Sequence, residues 1–214
     1  MGNNFSGKYS VDIVMCIDAT GSMKPLIDKV KKNALNFYRD FTDALEKKEK
    51  HVNEVRVRVI AFRDYIADGN DAMLTTDFFR LPDQADQFKA AVSSIEAKGG
   101  GDDPEDALEA LAFAIKSKWT HNEGKKRHVI VLWTDAGAHP LGYGKSAPNY
   151  PAKMPKDFAE LSEWWGAGQN PGRIMDDKFK RLLIYAPQET CWTRIADGWN
   201  NALLYPSVSS AGSV

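Results

Sequence analysis

The sequence predicts an α/β protein with a doubly wound, mostly parallel central sheet flanked by helices. Three observations carry that expectation. Apolar runs of strand length alternate with longer amphipathic stretches along the chain. The runs 11–17, 129–133 and 182–185 are almost continuously apolar, as strands covered on both faces are. No internal repeat or linker interrupts the alternation, so residues 1–214 read as one domain, with a core over about 9–205 and a small polar tail over 207–214.

Taken in order, residues 11–17 form a strand that ends at Asp18. Residues 25–48 turn helical, with Leu26, Ile27, Val30, Ala34, Phe37, Phe41 and Leu45 on one face and mostly lysines on the rest. A second strand follows over 55–62, and a short one over 75–81. Residues 85–97 and 104–118 read as helices, the second with Pro104 in its first turn and Asp103 as its N-cap. The strand 129–133 leads into a long Gly- and Pro-rich connection, 137–173, holding a helix over 158–165. A strand over 182–185, a helix over 190–200 and an apolar stretch over 202–205 complete the pattern.

Composition excludes several classes. Lys and Arg number 28 against 29 Asp and Glu, so there is no basic surplus to drive non-specific nucleic-acid binding. No apolar run reaches membrane-spanning length. Cys16 and Cys191 are too few for a disulfide framework, and nothing resembling a secretory signal opens the chain, so a reducing, cytoplasmic setting is expected. Met1-Gly2-Asn3-Asn4-Phe5-Ser6 matches the short N-myristoylation pattern but reads as a polar leader before the first strand.

In open α/β sheets, ligand sites form beyond the carboxyl ends of the strands, where strand order switches. Three polar clusters stand near such ends: Asp18-Ala19-Thr20-Gly21-Ser22 after the first strand, Gly99-Gly100-Gly101-Asp102-Asp103 before a helix, and Thr134-Asp135 after residue 133. In an extended loop, residues two apart point the same way, so Asp18, Thr20 and Ser22 present three oxygens to one point. Carboxylate and hydroxyl oxygens suit Mg²⁺ or Mn²⁺ and not Zn²⁺. Octahedral Mg²⁺ wants six oxygens, so the other two clusters should contribute.

Together these motifs resemble those of von Willebrand factor type A (vWA) domains, whose Rossmann-like fold matches the expected order of strands and helices from about Tyr9 to Tyr205. The resemblance implies a metal-ion-dependent adhesion site holding Mg²⁺ or Mn²⁺. Thr20 and Ser22 would bind the ion through their hydroxyls, and Asp18 and Asp135 would act through waters or by accepting hydrogen bonds. The family's usual Gly-rich-loop Thr falls here on Asp102, as in an intracellular branch with Gly-Gly-Gly-Asp-x-Pro-Glu loops. Asp103 is the alternative ligand, although helix capping explains it equally well. The extra acid would hold the cation more tightly and make it less electrophilic toward a partner carboxylate.

The expected function is a metal-dependent protein-binding module, not an enzyme, whose metal takes an Asp or Glu from a partner protein. One alternative is a metal-dependent hydrolase or phosphotransferase using the same acids. In such enzymes a general acid often stands two residues after the nucleophilic Asp, where Thr20 lies here. The other is a scaffold that binds partners without metal. His139 is expected to face solvent or bond the backbone, the alternative being contact with an acidic partner. The tryptophans are expected mostly in the core, with Trp164-Trp165 as a possible part of a binding surface. Gly142-Tyr143-Gly144-Lys145-Ser146 resembles the end of a P-loop, but His139 stands where its first Gly is required and no helix can follow through Pro148 and Pro151.

Overall fold

The computed structural model describes residues 9–33, 40, 41, 43, 44, 47, 52–101, 103–121, 123–168 and 171–207. Seven strands form one sheet: β1 (Tyr9–Asp18), β2 (Glu54–Phe62), β3 (Met73–Thr75), β4 (Phe79–Leu81), β5 (Lys125–Trp133), β6 (Lys180–Ala186) and β7 (Ala202–Pro206). The helices are α1 (Lys24–Asn33), the single turn α2 (Tyr65–Asp68), α3 (Ala85–Ser93), α4 (Ala107–Ile115), α5 (Phe158–Trp165) and α6 (Thr190–Gly198).

Strands β2, β1, β5, β6 and β7 lie side by side and parallel, and β3 and β4 pair antiparallel along the outer edge of β2. The expected single strand over 75–81 is therefore two. They are separated at Thr76, whose hydroxyl accepts from Val59 N at 3.0 Å and donates to Asp77 O at 2.8 Å. From β1 the order runs outward to β2 on one side and to β5 on the other, so the switch point lies between the carboxyl ends of β1 and β5.

Alternation along β1 explains why the sheet is buried on both faces. Val14 and Cys16 join a cluster under α4, α5 and α6 that includes Leu111, Ile115, Trp165 and Trp192. Val11, Ile13, Met15 and Ile17 join a second cluster under α1 and α3, with Ile27, Phe88 and Val92. Trp164 and Trp165 are both buried, so the reading of them as a binding surface is corrected: they are core.

The expected helix over 104–118 begins at Ala107. Glu105 pairs instead with the loop after β5, its N–H donating to Gly137 O and its carbonyl accepting from His139 N. That extended pairing holds residues 104–106 out of the helix, and Asp106, not Asp103, precedes it. The expected helix over 25–48 is described as Lys24–Asn33 and helical residues at 40, 41, 43 and 44; residues 34–39, 42, 45, 46 and 48 lie outside the described residues, as does the tail 208–214.

Candidate functional site

The loop after β1 folds around Asp18. Its carboxylate accepts from Thr20 N at 2.9 Å and from the Thr20 hydroxyl at 2.7 Å through Oδ1, and from the Thr134 hydroxyl at 2.7 Å through Oδ2. Asp18 is fully buried, and burial is the main reason its carboxyl is pushed above the usual range; the bonds from Thr134 and Thr20 oppose that shift. Both of its oxygens are thus engaged by protein donors. It therefore acts by orienting Thr20 and by joining the ends of β1 and β5.

From Asp18 a chain of oxygens leads to the surface. The Thr20 hydroxyl stands 3.3 Å from Ser22 Oγ, which donates to Asp135 Oδ1 at 3.1 Å. Ser22 is exposed, while Asp135 and the buried Thr20 face the same open hollow of about 330 Å³, lined also by Gly99, Gly100, Gly101, Asp103 and Glu105. Oxygens about 3 Å apart match neighbouring ligand positions around an octahedral Mg²⁺ with bonds of about 2.0–2.1 Å. The donor set is made of oxygens alone, so it fits Mg²⁺ or Mn²⁺ and not a thiol- or imidazole-seeking ion.

The Gly-rich loop forms the third wall. Gly99 and Gly100 have φ of 70° and 83°, in the left-handed region. A Cβ on Gly99 would lie 1.8 Å from Asp68 Oδ1, and one on Gly100 would meet Glu105 Oε1 at 2.9 Å and Thr20 Cγ2 at 3.0 Å. The close approach of this loop to Thr20 therefore requires glycine. Asp103 lines the hollow and is exposed; Asp102 lies outside the described residues. Capping no longer explains Asp103, because the helix starts at Ala107.

Four side chains that shape these loops, after β2, at the end of α2 and before α4, were not expected from the sequence. Arg63, buried, donates to the carbonyls of Ala19, Lys98, Asp71 and Glu96, and so ties the β1 loop to the approach of the Gly-rich loop. Asp68 accepts from Gly100 N at 3.1 Å. Asp64 caps α2, accepting from Ile66 N and Ala67 N, and its Oδ2 stands 3.0 Å from His139 Nε2. Glu105 is buried beside Thr20, and burial, reinforced by the charges of Asp18 and Asp64, pushes its carboxyl up to about 9. The available signal was Arg63-Asp64 itself, a charged pair directly after a doubly buried strand. The expectation for His139 is corrected: its ring is 4% exposed, stacked on Tyr143 and paired with Asp64.

Residues 12–141, more than half of the chain, match the family model described as von Willebrand factor A domain. The chain belongs to the von Willebrand factor A family. A curated relative, the alpha-protein kinase vwkA of Dictyostelium discoideum, is 28% identical over 145 residues, covering 68% of this chain and 21% of that protein. The vWA chain thus spans about a fifth of that relative's length. Among solved structures, a von Willebrand factor type A protein from Catenulispora acidiphila has a TM-score of 0.53 at 17% identity, over 95% of this chain and 40% of the other. The proximal thread matrix protein 1 of the mussel byssus has a TM-score of 0.52 at 13% identity, over 94% of this vWA chain and 45% of its own. These likenesses show the fold. vWA domains are generally protein-interaction modules and often carry a metal site. Among the described residues, no helix is long and apolar enough to cross a membrane.

Proposed function

We propose that this vWA domain is a protein-binding module that holds Mg²⁺ or Mn²⁺ at the carboxyl ends of β1 and β5 and presents it to an Asp or Glu of a partner protein. The observation that carries this reading is the contact of Ser22 Oγ with Asp135 Oδ1 at 3.1 Å, which joins loops 113 residues apart into one oxygen cluster on an open surface. Thr20 and Ser22 supply hydroxyls. Asp18 orients Thr20, Asp135 faces the ion from the β5 loop, and Asp103 or Asp102 adds charge from the Gly-rich loop. A bound ion would supply a Lewis-acidic point for a partner carboxylate, and the all-oxygen donors would leave it hard and strongly charged.

A binding role fits this chemistry better than catalysis. Thr20 stands where a hydrolase or phosphotransferase of this type would keep its general acid, and its hydroxyl is committed to Asp18. A cytoplasmic setting is proposed on the thiols: Cys16 and Cys191 are both free, and Cys16 is wholly buried.

The deciding experiment captures partners on immobilised protein from the source cell, in Mg²⁺ and in excess chelator, beside Ser22→Ala. Capture should be lost in chelator and fall at least tenfold in the variant, with far-UV circular dichroism unchanged. Equal capture in both buffers would overturn metal dependence and leave the scaffold reading. Turnover of phosphate esters in Mg²⁺, abolished by Asp18→Ala, would instead establish an enzyme.

A further inference from the structure

Behind the surface loops lies a second cluster that the proposed binding function does not use. Asp64 follows β2, Asp106 precedes α4, and His139 sits in the long connection after β5. All three are nine-tenths buried or more, at 1%, 0% and 4% exposure. One carboxylate oxygen of each Asp and one ring nitrogen of His139 lie within 4.8 Å of one another.

The way each side chain is held decides which atom faces inward. Asp64 Oδ1 accepts two backbone N–H bonds from α2, which leaves Oδ2 beside His139 Nε2 at 3.0 Å. Asp106 Oδ2 accepts from Tyr65 N at 2.6 Å, while its Oδ1 is buried with no hydrogen-bond partner. The His139 ring is clamped against Tyr143, with centroids 3.8 Å apart and planes 12° from parallel. Each carboxylate is thus anchored by one oxygen and offers the other, the arrangement that outer hydrogen bonds impose on metal ligands.

Charge points the same way. Glu105 and Glu109 are buried next to this pair, and each also has one carboxylate oxygen without a partner. The guanidinium of Arg63, the chain neighbour of Asp64, is committed to four carbonyls. Buried carboxyls so close together need protons or a cation, because an uncompensated buried anion is costly.

We propose that Asp64, Asp106 and His139 form a second, buried metal centre that takes a transition ion of the Zn²⁺ class. Mixed carboxylate and imidazole donors suit Zn²⁺ and disfavour Mg²⁺, which seeks oxygens alone. Ligand atoms around tetrahedral Zn²⁺ stand about 3.4 Å apart, so the Asp64–His139 pair, at 3.0 Å, opens slightly to seat the ion. The centre would clamp the start of α4 and the long connection to the end of β2, behind the loops that form the surface site. It stands independently of the surface metal.

The test separates the two centres. A double variant, Ser22→Ala with Asp135→Ala, disables the surface cluster. After chelator treatment and reloading with Zn²⁺, elemental analysis should still find one Zn²⁺ per folded chain. Asp106→Asn, which keeps an oxygen for Tyr65 N, and His139→Gln should each weaken that binding at least tenfold. With Co²⁺ as the probe, the double variant should show visible d–d absorption that chelator removes. A folded double variant with no bound Zn²⁺ and no Co²⁺ absorption would overturn the proposal, and so would full Zn²⁺ occupancy in Asp106→Asn or His139→Gln. Loss of partner capture in the double variant, with Zn²⁺ retained, would bear on the surface site alone.

Discussion

At the scale of single residues, Asp18 shows how burial turns a motif into a fixed geometry. Its carboxylate is removed from water and held by Thr20 and Thr134, so every lost donor leaves a buried acceptor unsatisfied. Thr134→Val, which keeps the shape and removes only the hydroxyl, should cost about 1–3 kcal/mol in urea unfolding with chelator present. His128 offers a separate reading of pH. It is buried at the far end of the sheet, stacked on Trp119, with Nε2 3.0 Å from Thr120 O, and burial is the main reason its pKa falls below 6.5. The Thr120 carbonyl and Asp12 oppose that shift, and His121 and Lys126 reinforce it. Below pH 6.5 the unfolded chain takes up a proton that the folded chain refuses, so this contribution is complete above 6.5 and is lost as the pH falls. The raised carboxyls of Glu105 and Asp106 work the opposite way over this range, so the His128 share is read by difference: from pH 7 to pH 5, the unfolding free energy of His128→Phe should rise relative to that of the parent.

At the scale of elements, the loops matter more than the strands they leave. Arg63 is one side chain bonded to four carbonyls from three segments, and a lysine cannot reproduce that planar fork. Arg63→Lys should destabilise the protein by about 2–4 kcal/mol, in the range for a broken buried network. It should also weaken Mn²⁺ binding at the surface cluster, measured by calorimetry, although Arg63 is not a ligand. The helix α4 shows how local propensity yields to tertiary pairing. Pro104 after Asp103 is a good helix opening, yet Glu105 is drawn into pairing with the 137–139 loop, and the helix waits until Ala107.

At the scale of the whole molecule, the sheet separates two apolar clusters, and β1, β2 and β5 each send side chains to both. Trp119, Trp164, Trp165, Trp192 and Trp199 belong to one of them and Trp133 packs against the other, so in a Trp133→Phe background tryptophan fluorescence reports on one face and far-UV circular dichroism on both. Because β1 is common to the two faces, the two signals should trace a single coincident transition in urea. Separate midpoints would show that the faces unfold independently.

What the sequence alone determined is what periodicity and local chemistry encode. Continuous apolar runs announced β1, β5 and β6, helical spacing announced α3, α5 and α6, and Asp18-x-Thr20-x-Ser22 announced an oxygen-rich loop, because each pattern lies within a few neighbouring residues. Only the tertiary structure decided where α4 begins, that Trp164 and Trp165 are core, and that Asp64, Asp106 and His139 meet. Those outcomes depend on residues tens of positions apart, which strand order alone brings within hydrogen-bonding distance, and the order places the ends of β1, β2 and β5 side by side.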